Sequence, residues 1–207
     1  MWFPDWQLRR PDAPPDSPCL IVDVAAVVVA ADPAAQTAGV RCGMRRREAE
    51  ALCPTAVTLA ADPAAASAAF EPVVRAVEAV VPRVEVAAPG LLFVPIAGAL
   101  RYYGGERAVM ESVAGAVAGV APGGHIGLAD GPFAARAAAA SAAAGPLLVD
   151  DTAAFLAGFD VSVLGVAELA ETFRWLGITT LGEVTALPRA AVASRFGPAG
   201  LEAHRIA

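Results

Sequence analysis

Read from the N-terminus, the first sustained hydrophobic pattern is a pair of β-branched runs, Leu20-Ile21-Val22 and Val27-Val28-Val29, placed after a proline-rich stretch from Pro11 to Pro18. Short apolar runs of this kind predict buried strands, and the brief gap between them allows a hairpin. Gly39-Val40-Arg41-Cys42-Gly43 predicts a turn into a helix from Met44 to Leu52, with Met44, Ala49 and Leu52 near one face and Pro54 ending it. Asp62-Pro63 then supplies an N-cap and a proline at the first helical position. From Ala64 to Val81, the residues Phe70, Val73, Val74, Val77 and Val81 recur at intervals of three and four, which predicts a long core-facing helix stopped by Pro82.

Beyond it, Val84-Glu85-Val86 and Leu91-Leu92-Phe93-Val94 predict two strand segments about a Pro89-Gly90 turn. Arg107 to Val120 reads as a helix, His125 to Ala129 as a strand and Pro132 to Ala144 as an alanine-rich helix. After the Gly145-Pro146 break the pattern changes to short helices at Asp151 to Leu156, Ala167 to Leu176, Leu181 to Leu187 and Ala190 to Phe196, which predicts a separate small helical domain. This order suits an α+β core with appended lobes.

The chain has 207 residues, 57% of them hydrophobic. That is enough to bury a sizeable core in one domain or in two or three small ones. No long apolar run is free of charge or proline, and Met1-Trp2-Phe3-Pro4-Asp5-Trp6 lacks the basic and apolar regions of a secretory signal, so the expectation is a soluble cytoplasmic protein with no membrane partner. Cys19, Cys42 and Cys53 are an odd set without CxxC spacing, which argues against a disulfide framework or a zinc site and for reduced, structural thiols.

Charge narrows the picture further. All 15 basic residues are arginine, yet the net charge is −6, and this argues against a protein wrapped in nucleic acid, because phosphate neutralisation supplies most of such affinity. Arg41, Arg45, Arg46 and Arg47 form one basic cluster, which faces a templating strand or partner or is simply a solvated helix face. Residues 172–207 carry four arginines (Arg174, Arg189, Arg195, Arg205) against two acids (Glu183, Glu202), a local +2. DNA contact is expected there.

Within that stretch, Leu176-Gly177-Ile178-Thr179-Thr180-Leu181-Gly182 has the look of a helix-hairpin-helix, whose backbone N–H groups bind a phosphate without reading sequence; an ordinary helical hairpin is the alternative. Gly177, Ile178, Thr179 and Gly182, with Arg189 and Arg195, are the candidate DNA-binding residues. His125 and His204 are isolated and read as structural. Asp151-Thr152 reads as a helix cap rather than half of a paired acid site with Asp150, and Tyr102-Tyr103 as either a base-stacking or a packing pair.

The segment Gly39-Val40-Arg41-Cys42-Gly43-Met44-Arg45-Arg46-Arg47-Glu48-Ala49, with Cys53-Pro54 after it, resembles the fingers of Y-family DNA polymerases and, more narrowly, of ImuB proteins. Trp2-Phe3-Pro4-Asp5-Trp6, Tyr102-Tyr103-Gly104-Gly105-Glu106, Gly127 to Arg136 and Leu176 to Glu183 follow in the family's order, so the resemblance covers nearly the whole chain. It implies a ferredoxin-like palm from residues 1–10 and 77–146, inserted fingers over 11–76 and a helical thumb over 147–207, with the little finger absent.

Polymerases of this family hold two divalent ions on palm carboxylates, and hard cations such as Mg²⁺ need those ligands close together. By the resemblance, the first strand here reads Phe3-Pro4-Asp5, so Phe3 replaces the first acid and only Asp5 is left, while Gly90 and Leu91 stand where an Asp-Glu pair should be. The family's triphosphate clamp falls on Pro33-Ala34-Ala35-Gln36, and its phosphate-binding lysine on Pro132. Neither supplies a charge-assisted bond to phosphate. The resemblance therefore implies a non-enzyme, without metal or cofactor: an adaptor in bacterial damage tolerance and SOS mutagenesis that positions DNA for an error-prone replicative-type polymerase.

Its implied partners are primer-template DNA, held weakly by this stretch, and that polymerase, a sliding clamp and an accessory mutasome protein, contacted through regions beyond residue 207. The alternative is an active translesion polymerase using Asp5 with Glu85 or Asp130. A third reading is a protein-interaction module that has lost DNA contact, in keeping with the negative net charge.

Overall fold

The computed structural model describes residues 1–14, 16–142 and 145–207. Pro15 of the proline-rich stretch and the last two residues of the helix expected to reach Ala144 lie outside the described residues. The chain divides into two compact units, Met1–Gly124 and His125–Ala207.

In the first unit, β1 (Cys19–Val22) is the middle of a three-stranded sheet, antiparallel to β2 (Val28–Ala31) and parallel to β3 (Val57–Ala60). All four β1 residues are buried, which is why that run is continuously apolar. The expected hairpin is present; β3 has no counterpart among the expected elements. Three of its four residues are apolar, but both ends, Val57 and Ala60, are exposed, and it pairs along the edge that β1 offers. After β2 the chain enters α1 (Pro33–Thr37), also unexpected, where Asp32 accepts from Ala35 N–H at 2.8 Å and from Cys19 N–H at 2.9 Å. One carboxylate thus caps α1 and fixes the start of β1.

The helix expected from Met44 shortens to α2 (Arg46–Leu52), because Arg45 is extended and bridges Val27. Ala49 joins the core with Leu20, Val22, Val28, Ala35, Val40 and Cys53, and Met44 packs against it. Leu52 does not: it is exposed at the last turn and covers Gly39. Helix α3 (Pro63–Glu78) starts as expected, Asp62 accepting from Ala65 N–H at 2.9 Å, and buries Phe70, Val73 and Val77. Val81 is buried too, but beyond the helix end. Strands β4 (Glu85–Ala88) and β5 (Leu91–Phe93) form the expected hairpin around Gly90. Then α4 (Leu100–Tyr103), ended by left-handed Gly104, occupies part of the expected turn, and α5 (Glu106–Ala118) packs on α3 and buries Val109, Met110, Val113 and Val117.

In the second unit, β6 (Gly127–Leu128) pairs in parallel with β7 (Leu147–Leu148), and α6 (Pro132–Ser141) connects them. The strand expected over His125 to Ala129 is therefore only two residues long. A Cβ on Gly127 would run into the α6 backbone at Ala138 and Ala139, so the missing side chain is what lets the helix lie on the strand. Helix α7 (Thr152–Ala157) begins with Asp151 accepting from Ala154 N–H at 2.9 Å, which makes the Asp150-Asp151 pair a cap, as expected. Helices α8 (Ala167–Trp175), α9 (Leu181–Thr185) and α10 (Arg189–Ile206) follow, α10 being broken at Gly197 (φ 60°, ψ −151°). Their core gathers Val161, Leu169, Ala170, Phe173, Val184 and Ala203. Among the described residues, no helix is long and apolar enough to cross a membrane.

Candidate functional site

The first candidate region lies where the opening residues meet the β4–β5 turn. Phe3 N–H donates to Gly90 O at 2.7 Å and Leu92 N–H donates to Met1 O at 3.1 Å, so residues 1–3 run antiparallel to β5 through a bridge between Trp2 and Leu91. The strand expected at Phe3-Pro4-Asp5 ends at Phe3. Pro4 has no N–H to continue a ladder, and the chain turns through Asp5 into a 3₁₀ segment at Trp6–Leu8.

That turn brings Trp6 onto Gly90. Gly90 has φ +91°, and a Cβ there would stand 2.5 Å from Trp6 Cβ and 3.1 Å from Phe3 O. Trp6 is buried, edge-on to Phe70 at 4.8 Å and to Phe3 at 5.3 Å, and its indole N–H donates to Ala66 O at 3.0 Å. Phe3 is 2% exposed, with its ring against Gly124. Arg9 closes the cluster: its guanidinium lies 5.1 Å from the Phe3 centroid and 5.7 Å from that of Trp6, and Nη1 donates to Pro122 O at 2.7 Å. Positions 3 and 90 are thus parts of a hydrocarbon core.

Acids do not converge there. Asp5 is half-buried and makes no side-chain hydrogen bond among the described residues; with desolvation as the larger cause, its charge helps push the Cys42 thiol up. Glu85 stands opposite Phe93, three register steps from the turn, roughly 10 Å away along the strand. Asp130 belongs to the second unit. Among the described residues no three His, Cys, Asp or Glu side chains stand close enough to hold a metal ion. Hard divalent cations need several oxygen ligands in one place, and the residues at this turn do not fit such an ion.

Beside Trp6 lies a cavity of about 350 Å³ whose walls include Arg10, Ile21, Asp23, Val29 and Asp62. Its charges are engaged locally. Asp23 accepts from Ala25 and Val27 N–H at 2.9 Å, Asp62 caps α3, and Arg10 is held by both oxygens of Asp12 and by Ala60 O at 2.7 Å. Nearby in the chain, Pro33 opens α1 and Gln36 donates to Ala31 O at 2.6 Å, while in the second unit Pro132 opens α6. The lining thus sets three carboxylates, Asp12, Asp23 and Asp62, against two arginines, Arg9 and Arg10, each already donating to a protein acceptor.

The second candidate region is the α8–α9 hairpin. Gly177 (φ +78°) donates its N–H to Arg174 O, Ile178 to Phe173 O and Leu181 to Phe159 O, all at 2.9 Å. The N–H groups of Thr179 and Thr180 both donate to one oxygen of Glu183, at 2.7 and 2.9 Å, and Thr180 Oγ1 in turn accepts from Glu183 N–H at 3.3 Å. Of the hairpin donors proposed for phosphate, Gly177 and Ile178 N–H thus serve backbone carbonyls and Thr179 N–H serves the Glu183 carboxylate, which its bonds to residues 179 and 180 hold below the usual carboxylate range. Ile178 packs into the core, and Gly182 lies against Ala157, whose carbonyl would stand 3.0 Å from a Cβ. Glu183 was absent from the expected site; the Thr-x-x-Glu spacing of a capping box is the sequence signal for it.

Arginines in this stretch sort into two classes. Arg174 pairs with Asp160 and Arg205 with Glu202, whereas Arg189 and Arg195 are exposed and form no ion pair among the described residues. In the first unit Arg46 pairs with Glu50, Arg41 donates to Gln36 O and Val40 O, and Arg45 donates to Ala25 O, while Arg47 is exposed. The structural reading of both histidines agrees with their bonds: His125 Nδ1 meets Ala139 O at 3.2 Å and His204 Nε2 meets Leu187 O at 3.0 Å. Tyr103 donates to Val80 O at 3.0 Å, a packing role, whereas Tyr102 is exposed. Cys19 and Cys53 are buried thiols; Cys42 is exposed, contrary to a structural reading.

Residues 6–140 match the impB/mucB/samB family. Among solved structures, the chain is similar to DinB from Sulfolobus solfataricus, with TM-score 0.76 and 17% identity over 92% of this chain and 59% of that one. It is also similar to Dbh DNA polymerase in an insertion ternary complex (TM-score 0.71, 15% identity, 91% and 60% covered) and in a post-insertion binary complex (TM-score 0.71, 16% identity, 93% and 60% covered). The chain thus spans only about 60% of the length of these polymerases. No curated protein matches it.

Two outcomes follow from this geometry. Replacing Gly90 by Asp should cost about 2–4 kcal/mol in urea unfolding, and Gly90→Ala most of that, since the positive φ and the Trp6 contact penalise any side chain. Glu183, with its folded pKa lowered, stabilises the second unit fully above the ordinary glutamate range and loses that effect as pH falls through the lowered value. The melting-temperature gap between wild type and Glu183→Gln should accordingly be widest near neutral pH and close in acid.

Proposed function

We propose that this chain, which belongs to the impB/mucB/samB family, is a non-catalytic, polymerase-shaped adaptor in DNA damage tolerance. Its fold is that of Y-family DNA polymerases. The observation that carries the non-catalytic reading is the Gly90–Trp6 contact: the turn assigned by resemblance to the metal-binding pair has no room for a carboxylate, and an indole fills the space beside it. The cavity next to it, with three acids against two arginines that already serve protein acceptors, supports the same reading, because a triphosphate needs free cations rather than an excess of fixed anions.

In this reading residues 1–10 and 77–146 act as palm, 11–76 as fingers and 147–207 as thumb. The thumb contacts the phosphates of primer-template DNA weakly and without sequence preference. Arg189 and Arg195 are its principal contacts, being the two arginines of that stretch without a local acid. Gly177, Ile178, Thr179 and Gly182 then shape the hairpin, and direct phosphate binding by Thr179 N–H would require Glu183 to let go. Synthesis is left to an error-prone replicative-type polymerase brought to the same DNA.

Primer extension with Mg²⁺ or Mn²⁺ separates this proposal from the active-polymerase alternative. No extension above background is expected, and robust extension abolished by Asp5→Asn would end the adaptor reading. In DNA binding, Arg189→Ala with Arg195→Ala should weaken affinity uniformly across sequences and lower the salt slope by about 2; an unchanged slope would remove the thumb contact from the proposal.

A further inference from the structure

Helix α8 has two faces of opposite character. Leu169, Ala170 and Phe173 are buried in the second unit's core. On the other side Glu168, Glu171, Thr172 and Trp175 follow at i, i+3, i+4 and i+7 and line one shallow groove. Trp175 is 83% exposed, the more notable because the chain's other described tryptophans are half-buried or buried. Leaving an indole in water forgoes the burial of a large apolar surface, and such residues are the commonest anchors of protein interfaces.

The charges around that indole select its partner. Glu168 and Glu171 form no ion pair among the described residues, and the nearby Arg174 is committed to Asp160. The groove therefore offers an aromatic face and two unneutralised carboxylates on one helix side, a combination complementary to a guanidinium: the π-face takes the flat cation and the carboxylates take its N–H donors. A nucleic-acid base could stack on the indole, but its phosphates would face the same two carboxylates, which is an unfavourable pairing.

We propose that this face of α8 is a docking surface for an arginine-bearing segment of a partner protein, Trp175 being the anchor and Glu168 and Glu171 the charge partners. The surface is distinct from Arg189 and Arg195, and it operates whether or not the chain is catalytic. It gives the second unit separate binding surfaces of opposite charge.

The test uses the full chain and three fluorescent probes: a hexa-arginine peptide, a hexa-lysine peptide and oligothymidylate. Anisotropy should show the arginine peptide bound more tightly than the lysine peptide, and binding about tenfold weaker in Trp175→Ala and in the Glu168→Gln/Glu171→Gln double variant. Removing two exposed acids of α5 in a Glu106→Gln/Glu111→Gln control should leave it unchanged, which separates the groove from the overall negative charge. These substitutions are all at exposed positions, so folding is not at stake. The proposal is overturned if the arginine peptide does not bind, if it binds equally to the Trp175 and control variants, or if oligothymidylate instead binds in a Trp175-dependent way.

Discussion

The first unit is organised around a contact that works only because one residue has no side chain. Gly90 turns the β4–β5 hairpin with positive φ and presents bare backbone to Trp6, whose indole reaches on to Phe70 and to the Ala66 carbonyl. Through this contact the opening residues, the hairpin and the long helix α3 become parts of one packed cluster, roofed by Arg9. Large aromatic side chains in such a cluster contribute on the order of 3–5 kcal/mol each when fully buried. The space at this turn is filled by packed side chains.

Much of the local structure was legible because its causes are local. Asp62-Pro63 and Asp151-Thr152 are helix starts whose caps lie within four residues of the groups they satisfy, and both form as expected. The hairpin around Pro89-Gly90 was equally plain. What escaped depends on distant partners. Strand β3 pairs with β1 nearly 40 residues earlier, and β7 with β6 across a whole helix, while neither has enough alternation of its own to announce a strand. Arg45 cannot begin its helix because Val27 holds it as a bridge, a constraint absent from its own neighbourhood.

At the site, the same division holds. The absence of acids at positions 3, 90 and 91 could be read directly from the sequence under the resemblance. That the tryptophan three residues past Phe3 packs on Gly90 could not, since it follows from a turn at Pro4 and from positive φ at Gly90 together. Glu183 is a different case: its spacing from Thr180 was readable, yet its carboxylate also takes the hairpin's Thr179 N–H, and only the folded turn reveals that.

The break in α10 carries one more consequence. Its first arm packs Phe196 against Phe173 at 4.8 Å and its second buries Ala203, so a single helix, bent at Gly197, reaches the small helical core with both arms like a clasp. His204 fastens the second arm to the Leu187 carbonyl. Proteolytic nicking at the bend would thus loosen the cover over Phe173 rather than trim a dispensable tail.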